Sequence, residues 1–207
     1  MVNVLVVEDS KITRDMLERY IAGSQDYVLV ASFANAANAE IVCTRGNVDL
    51  ILMDVCTADD ESGLDAAAKI KRQYPGVKII IMTSMPEYSF IQKAKAAGCD
   101  SFWYKEHGDT ALMDVMERTM RGEAVYPVET PVIPVGNAVS NELTERELDV
   151  LRQLAHGFTY EEIAANLAIS LNTVKYHSKN LLEKTGYRST LQLVVDVVGK
   201  RLVLPNF

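Results

Sequence analysis

Through the first 121 residues, short apolar runs alternate with stretches whose apolar residues recur at helical spacing. The runs at 2–7 (VNVLVV), 27–31 (YVLVA), 49–53 (DLILM), 77–84 (VKIIIMTS) and 101–105 (SFWYK) predict five strands. Stretches at roughly 12–22, 35–45, 64–74, 87–97 and 109–121 predict the helices that follow them. The strands are nearly continuous hydrophobic runs, the pattern of a sheet covered by helices on both faces. The expectation is an α/β unit with a parallel sheet.

The pattern breaks at 122–141, GEAVYPVETPVIPVGNAVSN, where Pro127, Pro131 and Pro134 fall within eight residues. Proline removes a backbone donor and restricts the residue before it, so an extended linker is expected. Beyond it the sequence reads as helices only. Leu143, Leu148, Leu151, Leu154 and Ala155 sit at helical spacing, Thr144 and Glu147 make a capping box, and Gly157 supplies a stop. Thr159 and Glu162 open a second short helix, and a turn at Ile169 and Ser170 leads directly into a third. A last helix is expected near 189–199. Two short helices joined so tightly are a helix-turn-helix candidate. The predicted organisation is an α/β domain at 1–121, a linker at 122–140 and a small all-α domain at 141–207.

Composition adds limits. At 207 residues, 48% hydrophobic and 24% charged, the chain is an ordinary globular sequence long enough for two small domains. No uncharged apolar run approaches bilayer length, and the start, MVNVLVVEDS, lacks the basic residues of a signal peptide. Cys43, Cys56 and Cys99 have no CxxC spacing, which argues against zinc and for a reducing, cytoplasmic setting. The net charge of −7 argues at first against a nucleic-acid partner. Its distribution weakens that objection, because the window 170–201 carries six basic residues against two acidic ones. Binding follows the local field rather than the total.

Candidate chemistry collects where the predicted strands end. In an open parallel sheet, ligands bind beyond the carboxyl ends of the strands. Four of the five runs end there in polar groups: Glu8 and Asp9, Asp54, Thr83 and Ser84, and Lys105. Singly, each has an ordinary structural explanation as a helix cap, a strand terminus or a solvated ammonium. Jointly they form a candidate site. Three clustered carboxylates repel one another unless a hard divalent cation sits among them, and Mg²⁺ prefers such oxygen ligands. The ion would also neutralise phosphoryl oxygens, with Asp54 as the in-line nucleophile. Thr83 and Lys105 could then hold the product's oxygens.

On these residues the chain resembles a two-domain bacterial response regulator, with a flavodoxin-like (βα)5 receiver domain and a LuxR/NarL-type output domain. The resemblance covers about 1–121 and 141–200. It implies that Glu8 and Asp9 of VVEDS bind the metal and that Asp54 of LMDV is the phosphoacceptor. It also implies that the backbone carbonyl of Cys56 completes the Mg²⁺ shell. Thr83 and Lys105 match the hydroxyl and lysine that sense the phosphoryl group, and Phe102 matches the switch aromatic. Two departures stand out. CTADDESG follows Asp54 without the usual met-pro and with one residue more, and Glu106 rather than proline follows Lys105. The family's bond there is cis, a geometry that is costly without proline.

LTERELDVLRQLAHGFTYEEIAANLAISLNTVKYHSKNLLEKTGYRS is similar to the LuxR-type helix-turn-helix over its full length, which implies a recognition helix at 172–184 entering the major groove. Leu151, Ile163, Ala164, Leu167, Ile169, Val174 and Leu181 read as core. Thr173, at the helix start, is expected to take a phosphate. Lys175, Tyr176 and Lys179 are candidates for base edges, and His177 for packing or phosphate contact. Lys184 and Arg188 suit the DNA backbone. Each lysine has the alternative of ordinary helix-surface charge.

The expected function is that of a DNA-binding transcriptional regulator rather than an enzyme. A partner histidine kinase would phosphorylate Asp54 and promote a homodimer on promoter DNA, with no membrane contact. The alternative is a phosphorylation-independent DNA-binding regulator that uses the receiver as a dimer scaffold. A hydrolase built on Asp54 would need a second acid, commonly two residues on, where Cys56 stands.

Overall fold

The five apolar runs of the first half become five parallel strands: β1 Val2–Val7, β2 Tyr27–Phe33, β3 Leu50–Asp54, β4 Lys78–Thr83 and β5 Ser101–Tyr104. Their order in the sheet is β2-β1-β3-β4-β5. Helices α1 Lys11–Ala22, α2 Ala37–Cys43, α3 Gly63–Gln73, α4 Tyr88–Ala96 and α5 Leu112–Met120 complete the predicted alternation. The structure is a computed structural model that describes residues 1–105 and 111–203. It divides into one unit of Met1–Ser84 with Tyr88–Glu129 and a second of Met85–Glu87 with Thr130–Phe207.

The unbroken hydrophobicity of the strands has a simple cause. On one face Val4, Val6, Leu50, Leu52, Ile80 and Met82 meet Leu17 and Ile21 of α1 and Val115 and Met116 of α5. The alternating residues Leu5, Val7, Ile51, Met53, Ile79 and Ile81 are also fully buried. A strand buried on both faces has no polar position to show. Each such side chain contributes roughly 1.5–3 kcal/mol of transfer free energy. β2 runs past its apolar stretch to Phe33, which pairs with Val7 of β1, and the Ser32 hydroxyl, partly buried, donates to the Glu18 carboxylate of α1.

In the second unit a two-stranded antiparallel hairpin, β6 Pro134–Val135 and β7 Ala138–Val139, lies inside the stretch that composition marks as linker. Four helices follow: α6 Glu145–Ala155, α7 Tyr160–Asn166, α8 Leu171–Thr185 and α9 Thr190–Gly199. Val135 is fully buried in one cluster with Leu143, Leu151, Ile163, Leu181 and Leu193. The predicted capping box forms, and Thr159 with Glu162 makes a second. The Thr144 hydroxyl accepts from the Glu147 amide at 3.3 Å while Glu147 accepts from the Thr144 amide at 2.8 Å. Thr159 and Glu162 repeat the pair at 3.3 and 2.8 Å. Among the described residues, no helix is long and apolar enough to cross a membrane.

Candidate phosphoryl site and nucleic-acid face

Connections leave β1 toward β2 on one side and, later, β3 on the other, so the carboxyl ends of β1 and β3 flank the point where strand order reverses. A crevice at such a point is where this class of sheet binds ligands. Glu8 and Asp9 follow β1 directly, and Asp54 is the last residue of β3. Ser10 caps α1 by accepting from the Thr13 amide, and its own amide donates to Glu8 Oε1 at 3.2 Å. Arg14, one turn into α1, donates to the Glu8 carbonyl at 2.6 Å and fixes the turn.

The carboxylate oxygens of Glu8, Asp9 and Asp54 lie within 4.8 Å of one another. Glu8 and Asp54 are buried and Asp9 is exposed. Lys105, the first residue after β5, puts its ammonium 2.8 Å from Asp54 Oδ2 and 2.5 Å from Glu8 Oε2. Its own amide donates to the Thr83 carbonyl at 2.9 Å, which ties the end of β5 to that of β4. Burial pushes the Asp54 carboxyl up to about 8, with Lys105 pulling it down and Glu8 adding to the rise. Burial raises Glu8 as well, again against Lys105. For Lys105, burial disfavours the ammonium, but Asp54 and Glu8 outweigh it and hold its pKa above the ordinary value. Three carboxylates with this spacing supply the hard oxygen donors that a divalent cation takes, so the cluster could coordinate a metal.

Thr83 is buried and pairs in register with Tyr104, and Phe102 pairs with Ile81. Strand alternation therefore puts Thr83 and Phe102 on the same face of the sheet. Phe102 is buried and meets Tyr104 edge-on at 5.0 Å between ring centroids. The extra residue of CTADDESG is taken up in a 3-10 turn at Ala58–Asp60, with Asp59 left-handed at φ 65°. Cys56 bridges to Ser62 across the base of this loop. Thr57 closes it, accepting from the Ala36 amide at 3.2 Å and donating to the Glu61 carbonyl at 2.8 Å. Glu106, and with it the question of the bond after Lys105, lies outside the described residues; among those described there is no cis peptide.

Sequence reasoning missed two supports of this site. Arg14 is one. The other is Gly63, the first residue of α3, where an added Cβ would sit 1.8 Å from the Asp54 carbonyl oxygen. Only a residue without a side chain lets α3 start against the backbone of Asp54. A glycine after an acidic loop is visible in the sequence; the approach is not.

In the second unit, α8 presents two faces. Val174, Ser178, Leu181 and Thr185 are buried, while Asn172, Lys175, Tyr176 and Lys179 are exposed on the other side. His177 is intermediate, and its ring lies 5.5 Å from that of Tyr176. Thr173 has its hydroxyl 2.8 Å from that of Ser170, the residue that caps α8. Arg188 is exposed beyond the helix. Lys184 departs from expectation. Its ammonium donates to Glu147 Oε2 at 2.7 Å and to the Glu142 carbonyl at 3.0 Å, so its charge is spent inside the unit rather than offered to a phosphate. Asn172 was not singled out from the sequence, yet it shares the exposed face with Lys175 and Tyr176 at helical spacing.

Residues 4–117 match the response regulator receiver domain, and residues 141–197 match the bacterial regulatory proteins of the luxR family. The chain is similar to response regulator protein VraR of Staphylococcus aureus, at 31% identity over 208 residues covering 98% of this chain and 99% of that one. Similarity to VraR of Staphylococcus epidermidis is 30% with the same coverage. Among solved structures, RcsB of Salmonella typhimurium superposes with a TM-score of 0.56 at 18% identity, over 96% of this chain and 98% of that one. The response regulator ChrA of a heme-sensing two-component system gives 0.52 at 22% identity, over 97% and 98%. At these identities the structural likeness speaks for the fold.

Proposed function

The chain belongs to the response regulators, with a receiver domain followed by a luxR-family helix-turn-helix unit, and from that premise we propose that Asp54 is its phosphoacceptor, charged by a partner histidine kinase. The reading gives the receiver role to 1–121 and the output role to 141–207, joined through 122–140, whose hairpin packs with the second unit. Glu8, Asp9, Asp54 and the Cys56 carbonyl would hold Mg²⁺, which when bound neutralises phosphoryl oxygens that the carboxylates would otherwise repel. An Asp54 carboxylate oxygen attacks phosphorus, the bond from phosphorus to the kinase imidazole breaks, and the imidazole leaves with its electron pair. Lys105, which bridges Asp54 and Glu8 at rest, is placed to exchange the lost carboxylate charge for a phosphoryl oxygen. The Thr83 hydroxyl donates to another of these oxygens, and Phe102, on the same face, follows its movement.

The phosphorylated receiver then promotes a homodimer on promoter DNA. RcsB has been solved as a complex with DNA. Here the exposed face of α8 is the reader: Lys175, Tyr176 and Lys179 for base edges, with Thr173, His177 and Arg188 for phosphates. Lys184 braces the fold instead. The setting is the cytoplasm, where the kinase's catalytic part and the promoter meet.

The observation that carries this reading is the Lys105 ammonium clamped between two buried carboxylates at the joined ends of β1, β3 and β5. Intact mass after acetyl phosphate treatment tests it. The expected result is a gain of one phosphoryl group that needs Mg²⁺ and disappears in Asp54→Ala. No gain in the wild type would favour the receiver as a phosphorylation-independent dimer scaffold.

A further inference from the structure

Beyond α5 the chain does not leave the first unit at once. The Glu123 carboxylate pairs with Arg118 at 2.8 Å and with Arg121 at 3.6 Å. Residues 123–126 then run beside β5, the edge strand of the sheet. The Phe102 amide donates to the Val125 carbonyl at 2.9 Å, the Val125 amide donates to Ser101 Oγ at 3.1 Å, and the Tyr126 hydroxyl donates to the Cys99 carbonyl at 2.7 Å. Val125 packs against the core of the sheet, as do Met120 and Trp103. Lys95 of α4 lies 5.0 Å over the Tyr126 ring.

An open edge strand is a template for another segment, and here the chain's own linker occupies it. The hold is narrow, and its placement is specific. Ser101 is fully buried and shares a 2.6 Å hydroxyl contact with buried Thr119 of α5. The next residue, Phe102, gives the strap a backbone bond to β5 and carries the ring proposed to follow Thr83.

We infer that residues 123–126 form a latch on β5, held while Phe102 keeps this position and released when its ring and peptide move on phosphorylation of Asp54. The latch rests on the proposed phosphorylation. Release adds four residues to the free tether of the output domain, about 13 Å of reach at ~3.3 Å per residue. It also makes the coupling reciprocal: a strap that opens more easily must favour the phosphorylated state by the same factor.

Hydrogen exchange on the full chain, read at the Phe102 and Val125 amides, tests this with and without acetyl phosphate and Mg²⁺. The phosphorylated wild type should exchange there about fivefold faster, the effect of losing on the order of one hydrogen bond. Tyr126→Phe removes only the bond to Cys99. It should show part of that acceleration before phosphorylation and bind the phosphoryl mimic beryllofluoride up to about fivefold more tightly. A phosphoryl group seen by mass with unchanged exchange at Phe102 overturns the latch and leaves the phosphorylation reading intact. Faster exchange in Tyr126→Phe with unaltered beryllofluoride affinity makes the strap merely structural and also overturns it. Absence of the phosphoryl group in the mass removes the trigger, and both readings fall.

Discussion

Replacing Gly63 with alanine tests the geometry under the phosphoacceptor directly. The added methyl would lie 1.8 Å from the Asp54 carbonyl oxygen, 3.0 Å from its carbonyl carbon and 3.1 Å from Met53 Cγ. The first two atoms belong to the backbone of Asp54, which pairs with Met82 of β4 at the end of a strand held by β1 up to Met53, so the strand resists moving. Instead α3 must lift by on the order of 1.6 Å to reach ordinary contact, a case of overpacking. Overpacking of this kind costs ~1–3 kcal/mol, and an unyielding backbone puts it at the upper end. At ~2.1 cal/mol/K per residue over a unit of about 120 residues, about 3 kcal/mol lowers the melting temperature by roughly 12 °C. Calorimetry on the whole chain should show the receiver transition falling by that much while the output transition stays in place. Gly76→Ala is the control: nothing lies within 4 Å of its added Cβ, and its change should stay within about 1 kcal/mol. A Gly63→Ala receiver that melts within about 2 °C of wild type refutes the close approach of α3 to Asp54, by the same conversion.

Lys175→Ala combined with Lys179→Ala should weaken binding to a selected duplex at least about tenfold more than binding to random duplex, as loss of base-edge contacts worth ~1–3 kcal/mol requires. Fluorescence anisotropy on both duplexes measures it; equal losses would reassign the lysines to phosphates. Glu147→Gln should destabilise the output domain by about 1–3 kcal/mol at pH 7, because a nearly buried carboxylate loses its charge toward Lys184. Burial pushes the Glu147 pKa up, but Lys184 and Thr144 overcome it and hold the carboxyl below its ordinary value. Its contribution is therefore present above the unfolded pKa near ~4.3 and is lost as pH falls through the lower folded value. Urea titrations between pH 7 and 3 should show a flatter acid decline for the Gln variant, and an unchanged slope would contradict the assignment.

Much of this was legible in the sequence because of how the sheet is buried. Strands covered on both faces write themselves as unbroken apolar runs, and the polar residues ending four of the five mark the rim where Glu8, Asp54 and Lys105 meet. The alternating architecture and the capped helices followed from the same local signals. Contacts between distant residues were not legible. Lys184 looks the same in a sequence whether it is solvated or paired, and its partner Glu147 is 37 residues away. The hairpin at Pro134–Val135 and Ala138–Val139 was hidden by prolines, which argue against strands in general but are tolerated at an edge. The strap at 123–126 carries no periodicity, since four residues are too few to show a pattern.

That hairpin also decides where the output domain can be cut. A fragment starting at residue 141, where the luxR-family match begins, would lack fully buried Val135 and so open a hole in the helical core. It would lack the Asn137 amide that donates to the Thr185 carbonyl at 2.8 Å, leaving the last carbonyl of α8 without that donor. It would also strip from Lys200 the Pro134 carbonyl, 2.7 Å away, that ties the end of α9 to the hairpin. Gly136, at φ 60° with its Cβ position 2.0 Å from the Thr185 oxygen, leaves no substitute for this turn. Tolerance to truncation follows buried contacts and backbone bonds rather than the edge of a sequence motif. The smallest piece of this chain that keeps α8 in place therefore begins near residue 130, eleven residues before the motif that defines the family.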